Sequence, residues 1–125
     1  MTDKTLRDLQ AEVDAWIQSV GNGYWPPHAN LARITEEVGE LARLVNHLYG
    51  PKPKKAEEAA QELGEELCDI IFAIICMANR EGVDLGTSFA RVMDKVWTRD
   101  RTRYQGQPDG SDPPDDVLGG ERPTT

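Results

Sequence analysis

The segment EELCDIIFAIICMA, residues 65–78, is apolar around its whole circumference apart from its opening acids and one carboxylate, Asp69. A helix that is hydrophobic on every side belongs in a core or a subunit interface. Asp69 is therefore expected to be buried, and a buried carboxylate needs a partner. Glu66 lies three residues earlier, so the two acids share a helix face about 4.5 Å apart along the axis.

A second acidic couplet, Glu37 and Glu40, has the same spacing in TEEVGEL, residues 35–41. If the two helices pack with these faces opposed, four carboxylates converge, and only protons or a cation can relieve their repulsion. Hard oxygen ligands of this kind suit Mg²⁺ or Mn²⁺. An isolated ExxE more often marks a solvated face. The apolar setting of Asp69 moves the reading toward metal.

Outward from these couplets the chain reads as helix throughout. Leu6, Leu9, Val13, Trp16 and Ile17 recur at helical intervals up to about Ser19, with Thr2 or Asp3 as the expected cap. Gly21, Asn22, Gly23, Pro26 and Pro27 then break the pattern. Tyr24 and Trp25 fall in that loop as plugs for the core end or as a wall for a nucleobase, the plug being favoured. A second helix begins near Pro27 to Asn30 and stops at Gly50-Pro51; a third runs from about Ala56 to Asn79; a fourth follows Asp84 into TRDRTRY. Short loops make neighbours antiparallel. The expected class is all-α, a four-helix bundle-like arrangement.

The 125 residues suit one domain, 1–104, followed by an acidic tail, 105–125. That tail holds eight Gly or Pro and five acids against one base, and is read as disordered. The net charge of −8 argues against a general nucleic-acid surface. No stretch reads as a signal peptide or membrane span, so a cytoplasmic location is expected. Cys68 and Cys76 are eight residues apart, about 12 Å along a helix, too far for a mutual disulfide. They are read as reduced core residues, and no zinc-type spacing accompanies them.

Lys95, Arg99 and Arg103 step along the fourth helix at four-residue intervals and share a face. They read almost equally as a phosphate-binding row and as a solvated surface paired with Asp94 and Asp100. The lysines of GPKPKK, residues 50–55, are read as solvation.

At these residues the chain resembles the MazG-like, all-α nucleoside triphosphate pyrophosphohydrolases. Their EExxE segment is matched by Glu36-Glu37-Val38-Gly39-Glu40 and their ExxD by Glu66-Leu67-Cys68-Asp69, with 25 residues between. TLRDLQAEV, the aromatic-proline loop, VNHLYGPKPKKA and KVWTRDRTRY extend the likeness over residues 4–104. The resemblance implies Glu37, Glu40, Glu66 and Asp69 as Mg²⁺ ligands, with Glu36 a nearby carboxylate. Glu36 or Glu37 would accept a proton from the attacking water. A base site is implied near Tyr24, Trp25, Asn46 and His47. Where many relatives carry Asn in the last helix this chain has Arg99-Asp100, so Asp100 would aid the metal or pair with Arg103.

The implied assembly is a homodimer or a dimer of dimers. The implied activity is hydrolysis of a nucleoside triphosphate to monophosphate and pyrophosphate. Phosphoribosyl-ATP pyrophosphohydrolase and a non-catalytic helical dimerisation module are the alternatives.

Overall fold

In the computed structural model the described residues are 3–51 and 56–103, and they form four helices and no strands. The helices are α1 (Leu6–Ser19), α2 (Pro27–Leu48), α3 (Ala56–Arg80) and α4 (Leu85–Arg103). The expected tail, the lysine loop and Thr2 lie outside the described residues.

The ends follow local chemistry. Thr5, rather than Thr2 or Asp3, caps α1: its hydroxyl accepts the Asp8 N–H at 3.1 Å while the Asp8 carboxylate accepts the Thr5 N–H at 2.9 Å. This reciprocal box satisfies two donors at once, an advantage that neither earlier candidate has. Pro27 opens α2 at a position where a missing N–H is harmless. Asp84 accepts the Gly86 N–H at 3.0 Å at the entry to α4.

The chain divides after Gly86 into two compact units. In the first, α3 packs against both α2 and α1. Asn30 and Arg33 share a cavity with Phe72 and Cys76, whereas Glu37, later in α2, meets Glu66 and Asp69, earlier in α3; the two helices therefore run antiparallel. The Gln10–Asn79 and Trp16–Phe72 contacts make α1 antiparallel to α3 by the same reasoning. Ile17, Leu48, Ala73, Ile75, Cys76 and Ala78 are buried. In the second unit, α4 leaves Phe89, Val92 and Trp97 exposed.

One buried polar junction ties the first unit together. Gln10 donates to Asn79 Oδ1 at 2.9 Å and to the Val83 carbonyl at 2.8 Å, and its Oε1 accepts the Leu85 N–H at 2.9 Å. Asn79 returns a bond to the Gln10 carbonyl at 2.9 Å. Replacing Gln10 by Ala strips partners from three groups, so the expected loss is about 3 kcal/mol. A lower denaturant midpoint with unchanged slope checks this.

The third helix departs from expectation at its middle. Leu67, Cys68, Asp69, Ile71, Phe72 and Ile74 are exposed, and only Ala73, Ile75, Cys76 and Ala78 from this stretch are buried. Cys68 is thus not a core cysteine, whereas Cys76 is. Burial of α3 begins only at Ala73, so its two neighbouring helices leave the earlier part of the apolar stretch uncovered.

Candidate active site

The antiparallel pairing of α2 and α3 brings Glu37, Glu66 and Asp69 together, with one carboxylate oxygen from each within 4.8 Å of the others. The cluster arises from register. Glu66 and Asp69 are one helical step apart on α3, and Glu37 projects from the facing turn of α2. Burial pushes the Glu66 carboxyl up, and the negative charges of Asp69, Glu37 and Glu40 push it further, with Arg43 opposing.

Glu37 is half-buried, and Arg33 Nε donates to its Oε1 at 2.7 Å, one helical turn away. Glu40 is exposed and takes a bond from Arg43 at 2.6 Å. It lies close enough to act on Glu66 electrostatically, but stands outside the three-carboxylate group. Glu36 is exposed and also outside it. Asp69 is exposed, against the expectation of burial, because the buried part of α3 begins only at Ala73, one turn further along the helix.

Beside this cluster the first unit holds a cavity of about 210 Å³ lined mainly by Trp16, Ile17, Tyr24, Trp25, Asn30, Arg33, Phe72, Ala73 and Cys76. Arg33 therefore touches both features: it lines the cavity and holds Glu37. Trp16 and Phe72 meet edge to face with ring centroids 6.0 Å apart. The loop keeps Trp16 in place. A Cβ on Gly21 would lie 2.7 Å from Trp16 Cζ3 and 3.0 Å from Ile17 Cα, and Asn22 and Gly23 adopt left-handed φ of 65° and 92°.

Tyr24 and Trp25 divide the two roles considered for them. Tyr24 is half-buried and its hydroxyl donates to Asp14 Oδ1 at 2.5 Å. Trp25 is 50% exposed and walls the cavity. Burial, then the Asp14 bond, pushes the Tyr24 pKa up to about 12. The neutral phenol is favoured on folding, so its contribution to stability is complete below pH 10 and is lost as pH rises toward 12. In an alkaline titration of tyrosine absorbance, one of the three tyrosines is expected to ionise late, and Tyr24→Phe should remove that phase.

Asn46 and His47 are exposed at the far end of α2, about 30 Å from Trp25 at 1.5 Å per residue. Within one chain the structure does not bring them to the cavity. Lys95, Arg99 and Arg103 follow one another along α4, all exposed, and Arg99 Nε donates to Asp100 Oδ1 at 3.3 Å. Asp100 therefore pairs with its neighbour Arg99.

The sequence reading missed Asn30, Arg33, Trp16 and Phe72 as site residues. The four-residue spacing of Arg33 and Glu37 was the available signal for Arg33. The other three converge only through the packing of α1, the loop and α3.

The family model for the MazG nucleotide pyrophosphohydrolase domain matches residues 26–104. The chain is 48% identical over 110 residues to the uncharacterized protein YpjD of Bacillus subtilis (strain 168), a match covering 88% of this chain and 99% of that protein. The crystal structure of YPJD from Bacillus subtilis superposes with a TM-score of 0.66 at 50% identity, covering 76% of this chain and 97% of that one. The crystal structure of the Bacillus-conserved MazG protein, described as a nucleotide pyrophosphohydrolase, does so with a TM-score of 0.67 at 48% identity, covering 82% of this chain and 100% of that one.

Proposed function

Since this chain belongs to the MazG nucleotide pyrophosphohydrolase family, we propose that it hydrolyses nucleoside or deoxynucleoside triphosphates to monophosphate and pyrophosphate with a divalent cation. The observation that carries the reading is the meeting of Glu37, Glu66 and Asp69 beside an aromatic cavity, with Arg33 common to both.

The donor set fits the cation. An octahedral ion with oxygens about 2.0–2.1 Å away holds adjacent ligands about 2.9 Å apart and opposite ones about 4.2 Å apart, so three oxygens within 4.8 Å would draw together by up to about 2 Å, a movement that side-chain rotation supplies. All three donors are hard carboxylate oxygens, which favours Mg²⁺ or Mn²⁺ over softer metals. Glu37, Glu66 and Asp69 would hold the ion, and Glu40 would join by releasing Arg43. When bound, the ion supplies the positive charge that polarises the α-phosphate and makes a bound water more acidic.

The residues do the rest. Arg33 fixes Glu37 through Nε and keeps its terminal nitrogens as donors for an anionic ligand. A water oxygen bonds to the α-phosphorus as the bond from that phosphorus to the bridging oxygen breaks. Pyrophosphate leaves with that oxygen. Glu36 or Glu37 accepts the water proton. Lys95, Arg99 and Arg103 remain the proposed partners of the departing phosphates. The aromatic cavity takes the base, with Trp25 in its wall. Asn46 and His47 could serve a base only across a subunit boundary.

The exposed apolar residues of α1, α2 and α3 support a homodimer or homotetramer, because a stripe of this size favours association over exposure. No described helix is long and apolar enough to cross a membrane, and a cytoplasmic role in cleansing the nucleotide pool suits the reading.

A product-resolved nucleotide screen with Mg²⁺, including phosphoribosyl-ATP, tests the function. Monophosphate and pyrophosphate in equal amounts are expected. Release of single phosphate alone rejects the chemistry, turnover of phosphoribosyl-ATP alone selects the first alternative, and no turnover selects the helical module.

A further inference from the structure

The polar atoms of the cavity are few, and one of them is conspicuous for its burial. Asn30 is only 4% exposed, yet it lines the cavity together with Trp16, Trp25 and Phe72. Its amide nitrogen donates to the Trp25 carbonyl at 3.3 Å. Because that partner is an acceptor, the amide orientation is fixed, and Oδ1 is the end left over. Among the described residues Oδ1 accepts no hydrogen bond, and no inaccessible side-chain oxygen there lacks a partner, so Oδ1 keeps accessible surface on a residue that lines the cavity.

Its neighbours do not match it. Arg33 and the two indoles offer only donors, and the Tyr24 hydroxyl, a weaker acceptor, gives its proton to Asp14 and has the Asn79 side chain against its oxygen. Burial holds the Cys76 thiol in its protonated form, a poor acceptor. An apolar, aromatic space with one strong side-chain acceptor suits a flat ring that carries an N–H on its edge. The volume of about 210 Å³ lies below the roughly 300–1,000 Å³ of sites that enclose whole drug-sized ligands. It accommodates the ring of a nucleotide and leaves sugar and phosphates outside.

We infer that Asn30 is the specificity-determining residue of this cavity, reading the occupant's nucleobase by accepting a hydrogen bond from a base N–H at Oδ1. The inference rests on the proposed nucleotide function but assigns a role that function does not require. The four bases present their N–H groups at different places on the ring edge, so a fixed acceptor ranks them. A site built around a hydrogen bond discriminates strongly, because a wrong occupant leaves the buried acceptor unpaired.

The two ends of the amide separate recognition from a purely structural role. Tethering the loop needs the nitrogen; reading the base needs the oxygen. Asn30→Leu removes both, and Asn30→Asp removes the tether while keeping an acceptor.

The four nucleoside monophosphates, titrated against the fluorescence of Trp16 and Trp25 in EDTA, report base binding without metal or turnover. In the wild type the best and worst base should differ by roughly 10-fold or more in dissociation constant, the scale of one buried hydrogen bond. Asn30→Leu should compress that ratio to about 3-fold or less, while Asn30→Asp keeps the ranking. Circular dichroism confirms that both variants fold; if Asn30→Leu does not, the inference is decided by Asn30→Asp together with an analogue of the preferred base methylated at its N–H, which should lose the advantage in the wild type. An unchanged ranking in Asn30→Leu, an equal loss of ranking in both variants, an analogue that binds as well as its parent, or no saturable binding of any base overturns the inference. Pyrophosphate release is measured separately, so a failure of the catalytic reading stays distinct from a failure of base reading.

Discussion

Asp69→Asn is expected to abolish cation-dependent hydrolysis and, in the same protein, to raise the melting temperature measured without metal. The two signs have one cause. Glu37, Glu66 and Asp69 hold carboxylate oxygens within 4.8 Å of one another, and the Glu66 carboxyl is pushed up by burial and by its acidic neighbours. Without an ion the cluster opposes folding, so neutralising one member relieves it. With an ion the same member is a ligand, and its loss removes affinity.

The magnitudes are measurable. At a cation concentration one hundred times the dissociation constant, binding stabilises the wild type by about 2.7 kcal/mol. For a chain of this size that corresponds to a rise of roughly 10 °C in melting temperature. Asp69→Asn should show little of that rise. Its turnover should fall by about 100-fold or more, the usual cost of deleting one preorganised charge-stabilising group. A variant that retains both the metal-induced rise and its activity would remove Asp69 from the ligand set.

Ile71→Glu is expected to dissociate the proposed homodimer or homotetramer into single chains. Leu67, Ile71 and Ile74 lie at helical spacing along one flank of α3 and are 44%, 43% and 39% exposed in the single chain. Burying an isoleucine contributes about 1.5–3 kcal/mol, and a glutamate in its place adds the cost of an unpaired charge. In a two-fold dimer the change occurs twice. The dimer dissociation constant should therefore rise by roughly a thousandfold or more. Sedimentation should then report half the wild-type mass or less, with helix content retained. An unchanged mass would show that this flank faces solvent in the working protein.

Sequence and structure part company at particular residues. Pro27, Gly50-Pro51 and Asp84 mark helix ends because their backbone chemistry acts locally, and the helices obey them. The cap at Thr5 was equally local, but Thr2 and Asp3 competed for the same role. Three of the four expected ligands meet, since α2 and α3 are consecutive helices joined by one short connection and pack antiparallel. Glu40 shares the face of Glu37, yet it pairs with Arg43 and stands outside the three-carboxylate group, and pattern alone does not rank these contacts. The exposure of Asp69 was hidden because an all-apolar helix says only that something must cover it, not that the same chain does. Asn30 was illegible for another reason. A polar residue near a helix start normally signals a cap, and only the packing of α1 and α3 around it creates a cavity.

The most direct measurement is anomalous diffraction from crystals of the full-length protein grown with Mn²⁺. The account predicts a peak bounded by carboxylate oxygens of Glu37, Glu66 and Asp69, and its disappearance in Asp69→Asn crystals. Manganese bound elsewhere, with these three side chains unengaged, would contradict it.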